Sequence, residues 1–161
     1  MEVRPDVTVA AVCRQHGRFL IVEEQVTSGA LVFNQPAGHL ETGESLVEAC
    51  VRETLEETGW HFAPRGIVGI YQWQHPYKQR YFVRVAFAGD CLRHDPDLPL
   101  DEGIVRVLWM TPQELDEHSD LLRSPMVLKC IEDFLSGACY PLDIVQYVDG
   151  TTHVDNSAAR L

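Results

Sequence analysis

Three glutamates that could bind a divalent cation lie close together in the sequence. Glu53, Glu56 and Glu57 are related by three and four residues, so a helix would turn them toward one side. Like charges at this spacing repel each other by about 0.2–0.5 kcal/mol per pair. A cation such as Mg²⁺, which binds a few carboxylates together with substrate phosphate oxygens, would remove this repulsion. The spacing alone fits a solvated acidic face equally well, with Glu48 and Arg52 as an ion pair.

The ends of the helix that would carry these glutamates are indicated by its flanking residues. Ser45 and Glu48 form the S-x-x-E pattern of a capping box, and Gly59 suits the left-handed position after a helix. The predicted helix therefore covers 45–58. A stripe of apolar and small residues would face the core, namely Val47, Cys50, Val51, Thr54 and Thr58. Before the helix, Pro36-Ala37-Gly38 predicts a tight turn whose backbone groups lie beside the carboxylates.

The remaining chain predicts several strands and few helices. Strands are predicted at 7–13, 18–23, 30–33, 67–73, 81–87 and 104–109, with a turn at 15–17. Helices are predicted at 112–117 and 125–135. Each begins with a proline that follows a capping residue, Thr111 or Ser124. This pattern predicts one α+β domain over 1–148, in which a mixed β-sheet is sandwiched between α-helices. Residues 149–161 lack periodicity and predict a flexible C-terminal tail.

Composition excludes several functional classes. The 161 residues, 45% of them hydrophobic, fit a single folded domain. The net charge of −11 argues against nucleic-acid binding. No apolar run approaches the ~18 residues of a membrane span, and the acidic N-terminus does not fit a signal peptide. Five scattered cysteines predict reduced thiols and a cytoplasmic location. The sequence does not distinguish a monomer from a dimer.

The combined pattern resembles the Nudix box, G-x5-E-x7-R-E-U-x-E-E-x-G-U. The matching positions are Gly38, Glu44, Arg52, Glu53, Glu56, Glu57 and Gly59. Thr54 replaces a bulky aliphatic residue of the box, and Trp60 is a mild variation at its last position. Flanking segments further resemble the NudJ subgroup of bacterial phosphatases. These segments are Val7-Thr8-Val9-Ala10, Val22-Glu23-Glu24, residues 34–41, Gln72-Trp73, Arg123-Ser124-Pro125 and Tyr140-Pro141-Leu142.

This resemblance implies the Nudix fold and hydrolysis of a nucleoside diphosphate linked to another group, with Mg²⁺ or Mn²⁺ as cofactor. Carried over by position, the metal ligands would be Glu53, Glu56, Glu57 and a backbone carbonyl, that of Ala37. The catalytic set would be Glu53, Glu56, Arg52 and Glu44, with Glu53 or Glu56 as the base. Arg52 would hold Glu53, and Glu44 would support the loop and a second metal. A further acid from a later loop would be Asp101 or Glu102.

The resemblance to the NudJ subgroup implies release of inorganic phosphate from nucleoside tri- and diphosphates and from hydroxymethylpyrimidine diphosphate, a thiamine precursor. Two alternatives remain open. One is a Nudix pyrophosphohydrolase that releases pyrophosphate or cleaves another nucleoside-diphosphate-linked substrate. The other is a non-catalytic nucleotide sensor, which the intact carboxylates disfavour. The predicted substrate contacts are Gln35, Tyr71, Trp73 and Glu102. Lys78, Arg80 and Arg84 fit a solvated edge better than a phosphate contact.

Overall fold

The computed structural model describes residues 4–150, so the part of the predicted tail from residue 151 onward lies outside the described residues. These residues form seven strands and three α-helices. The strands are β1 (Asp6–Gln15), β2 (Arg18–Gln25), β3 (Leu31–Asn34), β4 (Ala37–His39), β5 (Trp60–Gln74), β6 (Tyr81–His94) and β7 (Ile104–Met110). The helices are α1 (Leu46–Thr58), α2 (Pro112–Glu117) and α3 (Met126–Leu135), with 3₁₀ turns at Ser119–Leu121 and Leu142–Ile144.

The strands form a mixed sheet in the order β3-β2-β1-β6-β5, to which β4 adds on β1 and β7 adds on β2. The β1–β6 pair is parallel and the other pairs are antiparallel. Two buried clusters lie on opposite faces, one including Cys50 of α1 and the other including Ile131 of α3. Alternation along β1 sends Ala11 to the first cluster and Val12 to the second. The predicted α+β arrangement, a mixed sheet between helices, is confirmed.

The ends of α1 agree with the prediction. The Ser45 hydroxyl accepts the Glu48 backbone N–H at 3.1 Å, and the Glu48 carboxylate accepts the Ser45 N–H at 2.7 Å. Gly59 adopts φ 71°, the left-handed conformation that ends many helices. Of the predicted stripe, Cys50, Thr54 and Thr58 are buried, whereas Val47 and Val51 are half-buried. Helix α1 is therefore fixed at both ends by its own sequence.

Three local predictions were wrong. Strands β5 and β6 extend well beyond 67–73 and 81–87, because bulges around Pro64–Gly66 and Ile67–Gly69 interrupt the alternation that marks a strand. The segment predicted as a turn at 36–38 contributes Ala37 and Gly38 to β4. Ser124 does not cap α3, since its hydroxyl has no hydrogen-bond partner among the described residues.

All five cysteines are free thiols, and four of them are buried. Among the described helices, none has the length and apolar character needed to span a membrane.

Candidate active site

Strand β4 lies directly against the acidic side of α1. A Cβ atom added at Gly38 would overlap the carboxylate of Glu53, so the observed position of this carboxylate against the strand requires glycine at residue 38. One residue earlier, the Ala37 backbone N–H donates to Glu57 Oε2 at 2.9 Å. As predicted, this segment lies beside the carboxylates, although it forms a strand and not a turn. Metal ligation by the Ala37 carbonyl stays a prediction.

Arg52 connects the glutamates to one another and to the preceding segment. Its Nε and Nη2 donate to the two carboxylate oxygens of Glu44 at 2.9 and 2.7 Å. Its Nη1 donates to Glu53 Oε1 at 2.8 Å and to Glu56 Oε2 at 3.0 Å. Nη2 also donates to the His39 carbonyl at 3.0 Å. The bidentate pair between Arg52 and Glu44 is directional, so it fixes the guanidinium group. The fixed guanidinium in turn orients Glu53 and Glu56 as well as attracting them.

Both oxygens of Glu44 accept bonds from Arg52, and Oε1 also accepts the Glu41 backbone N–H at 2.9 Å. Hydrogen bonding to Arg52 lowers the pKa of Glu44, which keeps this carboxylate ionised. These contacts favour a positioning role for Glu44. Its predicted part in catalysis and in a second metal site remains untested.

Two of the three candidate metal-binding glutamates on α1 are buried. Glu53 is 9% exposed and Glu57 is 7% exposed, so the alternative of a solvated acidic face is wrong for both. The Glu48–Arg52 pair of that alternative is replaced by the capping box and the Arg52 network. Burial raises the pKa of Glu53 and raises that of Glu57 to about 9, against the opposing hydrogen bond from Ala37. Buried carboxylates are stable when they are protonated, paired or bound to a cation.

One carboxylate cluster has the geometry to hold a cation. Oxygen atoms of Glu53, Glu56 and Asp101 all lie within 4.8 Å of one another. The Asp101 backbone N–H donates to the Glu56 carbonyl at 2.9 Å, which fixes the loop before β7 against α1. Three hard oxygen donors suit Mg²⁺ or Mn²⁺, so this donor set fits the divalent cation that the Nudix pattern implies. Of the two candidate loop acids, Asp101 belongs to this cluster, whereas Glu102 does not.

A cavity of ≈ 380 Å³ extends from Glu53 and Glu57 along one face of the sheet. Trp73 and Phe82 stack in its wall, with ring centroids 5.5 Å apart and planes inclined by 27°. Four cationic side chains also line it, those of Lys78, Arg80, Arg84 and Arg123. The cavity therefore combines carboxylates, a flat aromatic surface and positive charge, a combination that suits a phosphorylated aromatic molecule.

The predicted substrate contacts occupy different environments. Trp73 lines the cavity. Gln35 is 1% exposed, and its amide donates to the Val127 carbonyl at 2.8 Å. The Tyr71 hydroxyl donates to Asp133 at 2.9 Å. Glu102 is exposed and lies outside the cavity lining among the described residues. Substrate roles for these four residues stay predictions.

Arg84 is a functional candidate that the sequence analysis considered and set aside. The prediction of a solvated edge is wrong for this residue, because it is 5% exposed. Its Nη1 donates to Gln35 Oε1 at 3.2 Å and its Nη2 to Asn34 Oδ1 at 3.4 Å. A lone arginine among the apolar residues of 81–87 was the available signal, since a charged residue is rarely buried without a specific partner.

These features agree with the comparisons to known proteins. The sequence model of the NUDIX domain matches residues 3–128, and the chain belongs to the Nudix family of hydrolases, enzymes that act on phosphorus-containing anhydrides. The phosphatase NudJ of Escherichia coli K12 is 42% identical over 142 residues, covering 88% of this chain and 91% of the relative. The resemblance to the Nudix family and its NudJ subgroup is thereby confirmed.

Solved structures support the same family. A NUDIX hydrolase from Nitrosomonas europaea superimposes with a TM-score of 0.90 at 47% identity, covering 92% of this chain and all of the other. A MutT NUDIX hydrolase from Burkholderia pseudomallei has a TM-score of 0.66 at 17% identity, covering 81% of this chain and 98% of the other, and supports the fold alone.

Proposed function

We propose that the protein is a Mg²⁺-dependent phosphohydrolase that cleaves phosphoanhydride bonds of nucleoside tri- and diphosphates and releases inorganic phosphate. Hydroxymethylpyrimidine diphosphate is a further candidate substrate, and Mn²⁺ is a possible substitute for Mg²⁺. The observation that carries this proposal is the cluster of carboxylate oxygens of Glu53, Glu56 and Asp101, of which Glu53 also lines the cavity that contains aromatic and cationic side chains.

Glu53, Glu56 and Asp101 would hold the cation, with Glu57 and the Ala37 carbonyl as further ligands that the family pattern implies. When bound, a divalent cation polarises the phosphoryl group and lowers the pKa of a coordinated water. Arg52 is the positioning residue of this proposal. It bonds Oε1 of Glu53 and Oε2 of Glu56, which leaves one oxygen of each carboxylate for the cation or for a proton from the attacking water.

The rest of the cavity would bind the substrate. Lys78, Arg80 and Arg123 bring positive charge to the cavity that would receive the phosphates. The stacked Trp73 and Phe82 offer a flat surface for an aromatic ring. Charge and stacking together favour a phosphorylated heterocycle over a phosphorylated sugar, which offers no flat ring.

Two alternatives differ from this proposal in testable ways. A Nudix pyrophosphohydrolase would use the same carboxylates but release pyrophosphate, or would act on another nucleoside-diphosphate-linked substrate. The relative's name, phosphatase NudJ, favours phosphate release. A non-catalytic sensor would need no base, and the retention of Arg52 and all box glutamates argues against it.

A product assay tests the proposal. The protein is incubated with a nucleoside triphosphate, a nucleoside diphosphate or hydroxymethylpyrimidine diphosphate, with Mg²⁺ or with EDTA, and phosphate and pyrophosphate are measured separately. We expect phosphate from the triphosphate and the diphosphate, and only with Mg²⁺. Release of pyrophosphate from the triphosphate would show that the proposed product is wrong, but it would not contradict the proposed metal site. No turnover of the nucleotides with Mg²⁺ would overturn the proposed substrate class.

A further inference from the structure

Three side chains in the cavity wall each carry a polar atom that has no hydrogen-bond partner among the described residues. They are Thr8, Arg84 and Ser124, which are 6%, 5% and 6% exposed. In the described part of the chain, Thr8 Oγ1, Arg84 Nε and Ser124 Oγ are the buried side-chain polar atoms without a hydrogen-bond partner. All three residues line the same cavity. Because an unpartnered buried polar group is unfavourable, such a cluster indicates a partner from outside the chain.

The sheet places two of these side chains next to the aromatic surface. Thr8 of β1 and Arg84 of β6 are direct neighbours in the parallel register, so their side chains share one face of the sheet. Phe82 lies two residues before Arg84 on that face, and it pairs across the strands with Trp73. Ser124 reaches the cavity from the segment before α3. Donors and flat rings therefore occur side by side.

Arg84 is a positive charge held mainly by neutral groups. Its guanidinium donates hydrogen bonds to the amide oxygens of Gln35 and Asn34. Burial lowers the pKa of Arg84, while the nearby Cys130, Glu24 and Glu57 act in the opposite direction. The remaining Nε–H can only donate, so it requires an acceptor atom.

A nucleic-acid base fits this wall better than a phosphate does. Glu24 lines the cavity near Arg84, and its carboxylate would repel a phosphate at this position. A planar heterocycle would instead stack on Trp73 and present ring carbonyl or nitrogen acceptors to the Arg84 donor. The two hydroxyls can donate or accept, and so can adapt to the remaining ring atoms.

We propose that Thr8, Arg84 and Ser124 form a specificity-determining surface that binds the acceptor edge of the substrate's heterocyclic base. This inference deepens the proposed function and rests on it for the position of the phosphates. The carboxylates of α1 would then act on the phosphates, while the wall of the sheet would select the ring attached to them.

The direct test is binding of neutral nucleosides to the metal-free protein. The full chain in EDTA is titrated with cytidine, uridine or adenosine and followed by NMR through the backbone amide shifts, with ribose and inorganic phosphate as comparison ligands. We expect shifts at Thr8, Arg84 and Trp73, and at least one nucleoside should bind about tenfold more tightly than ribose, because stacking of a base is the dominant contact. Neutral ligands avoid electrostatic repulsion by Glu24.

Two conservative variants isolate the hydroxyl groups. Thr8→Val and Ser124→Ala should each weaken nucleoside binding about two- to tenfold, the value of one hydrogen bond. Both should melt at the same temperature as the parent protein or higher, because neither hydroxyl has a partner in the described chain. The control is Thr54→Val, since the Thr54 hydroxyl is buried and donates to the Cys50 carbonyl away from the cavity. That variant should retain the parent nucleoside affinity.

Arg84→Lys removes the Nε donor and should weaken nucleoside binding about tenfold. If it does not fold, the two hydroxyl variants still decide the question. Unchanged affinity in both, or ribose or phosphate binding as tightly as every nucleoside, would overturn the inference even where Mg²⁺-dependent hydrolysis persists. Nucleoside binding without hydrolysis of any nucleotide would instead overturn the proposed function.

Discussion

The two ends of the cavity are built in opposite ways. At the carboxylate end, Arg52 bonds Glu44, Glu53 and Glu56 at 2.7–3.0 Å, so the acidic groups are oriented by the protein itself. In the sheet wall, Thr8 and Arg84 carry polar atoms without a partner in the described chain. The comparison indicates that one end is organised before substrate binds, whereas the other is completed by it. Substitutions at the carboxylate end should therefore affect chemistry, and those in the wall should affect selection.

The largest effect is expected for Glu53→Gln. The amide retains the size of the side chain but removes a metal-binding charge and a candidate base, so kcat should fall roughly 10³-fold. The variant should fold, because an amide is easier to bury than a carboxylate. Steady-state kinetics with Mg²⁺ and a nucleoside triphosphate, together with the circular dichroism spectrum, would measure both effects.

The matched control for this variant is Glu132→Gln on the exposed side of α3. It makes the same chemical change away from the cavity and should retain the parent kcat. Parent-like activity in Glu53→Gln would show that this carboxylate is dispensable, and the proposed metal cluster would then be wrong.

The next largest effect is expected for Gly38→Ala. The added methyl group would overlap the Glu53 carboxylate, and that carboxylate must move because it is the flexible partner. A displacement of about 1 Å should lower kcat about 10²-fold. The melting temperature should change little, since the end of a side chain moves more easily than a strand. Gly150→Ala, where an added Cβ meets open space, is the control and should leave both quantities unchanged.

A third prediction concerns the pH dependence of stability in metal-free protein. Burial raises the pKa of Glu57 to about 9, so the folded state binds a proton that the unfolded state releases above its ordinary pKa. The free energy of unfolding should therefore fall with rising pH, by about 1.4 kcal/mol per pH unit in this window. Glu57→Gln should remove that slope and be more stable at neutral pH. Urea unfolding at pH 6 and pH 8 would measure the difference.

The same variant tests whether Glu57 binds the cation. Mg²⁺ should raise the melting temperature of the parent protein more than that of Glu57→Gln, because a ligand charge is lost. An equal Mg²⁺-induced rise in both proteins would contradict the ligand role predicted for Glu57. An equal pH slope would contradict its buried, protonated state.

A similar contrast, between local and long-range contacts, explains which elements could be predicted from the sequence. The boundaries of α1 were predicted correctly, because Ser45, Glu48 and Gly59 act within a few residues of the helix they delimit. The extent of β5 was not predicted, since its bulges are stabilised by pairing with β6 and leave no regular alternation. Local interactions can be predicted from a single sequence, whereas pairing between distant segments can be predicted only in part.

The same reasoning applies to the site. The Nudix pattern groups Gly38, Arg52 and Glu53 within a short stretch, and the structure brings these residues into contact. Asp101 was one of two candidates, because a neighbouring loop acid cannot be distinguished from it without knowing how the loop meets α1. The grouping of Thr8, Arg84 and Ser124 was missed, since they come from three distant segments and become neighbours only in the folded chain.

The smallest effect is expected for Tyr71→Phe, which tests whether the Tyr71 hydroxyl contributes to stability or to substrate binding. Tyr71 pairs with Arg84 in the sheet, but its hydroxyl donates to Asp133 at 2.9 Å. Loss of that bond should lower the free energy of unfolding by about 1 kcal/mol. The KM for nucleotide should stay unchanged, whereas the wall variant Thr8→Val should raise it without loss of stability. A raised KM with unchanged stability in Tyr71→Phe would place this hydroxyl at the substrate, as the sequence predicted. Tyr71 would then join Thr8, Arg84 and Ser124 in the specificity-determining surface.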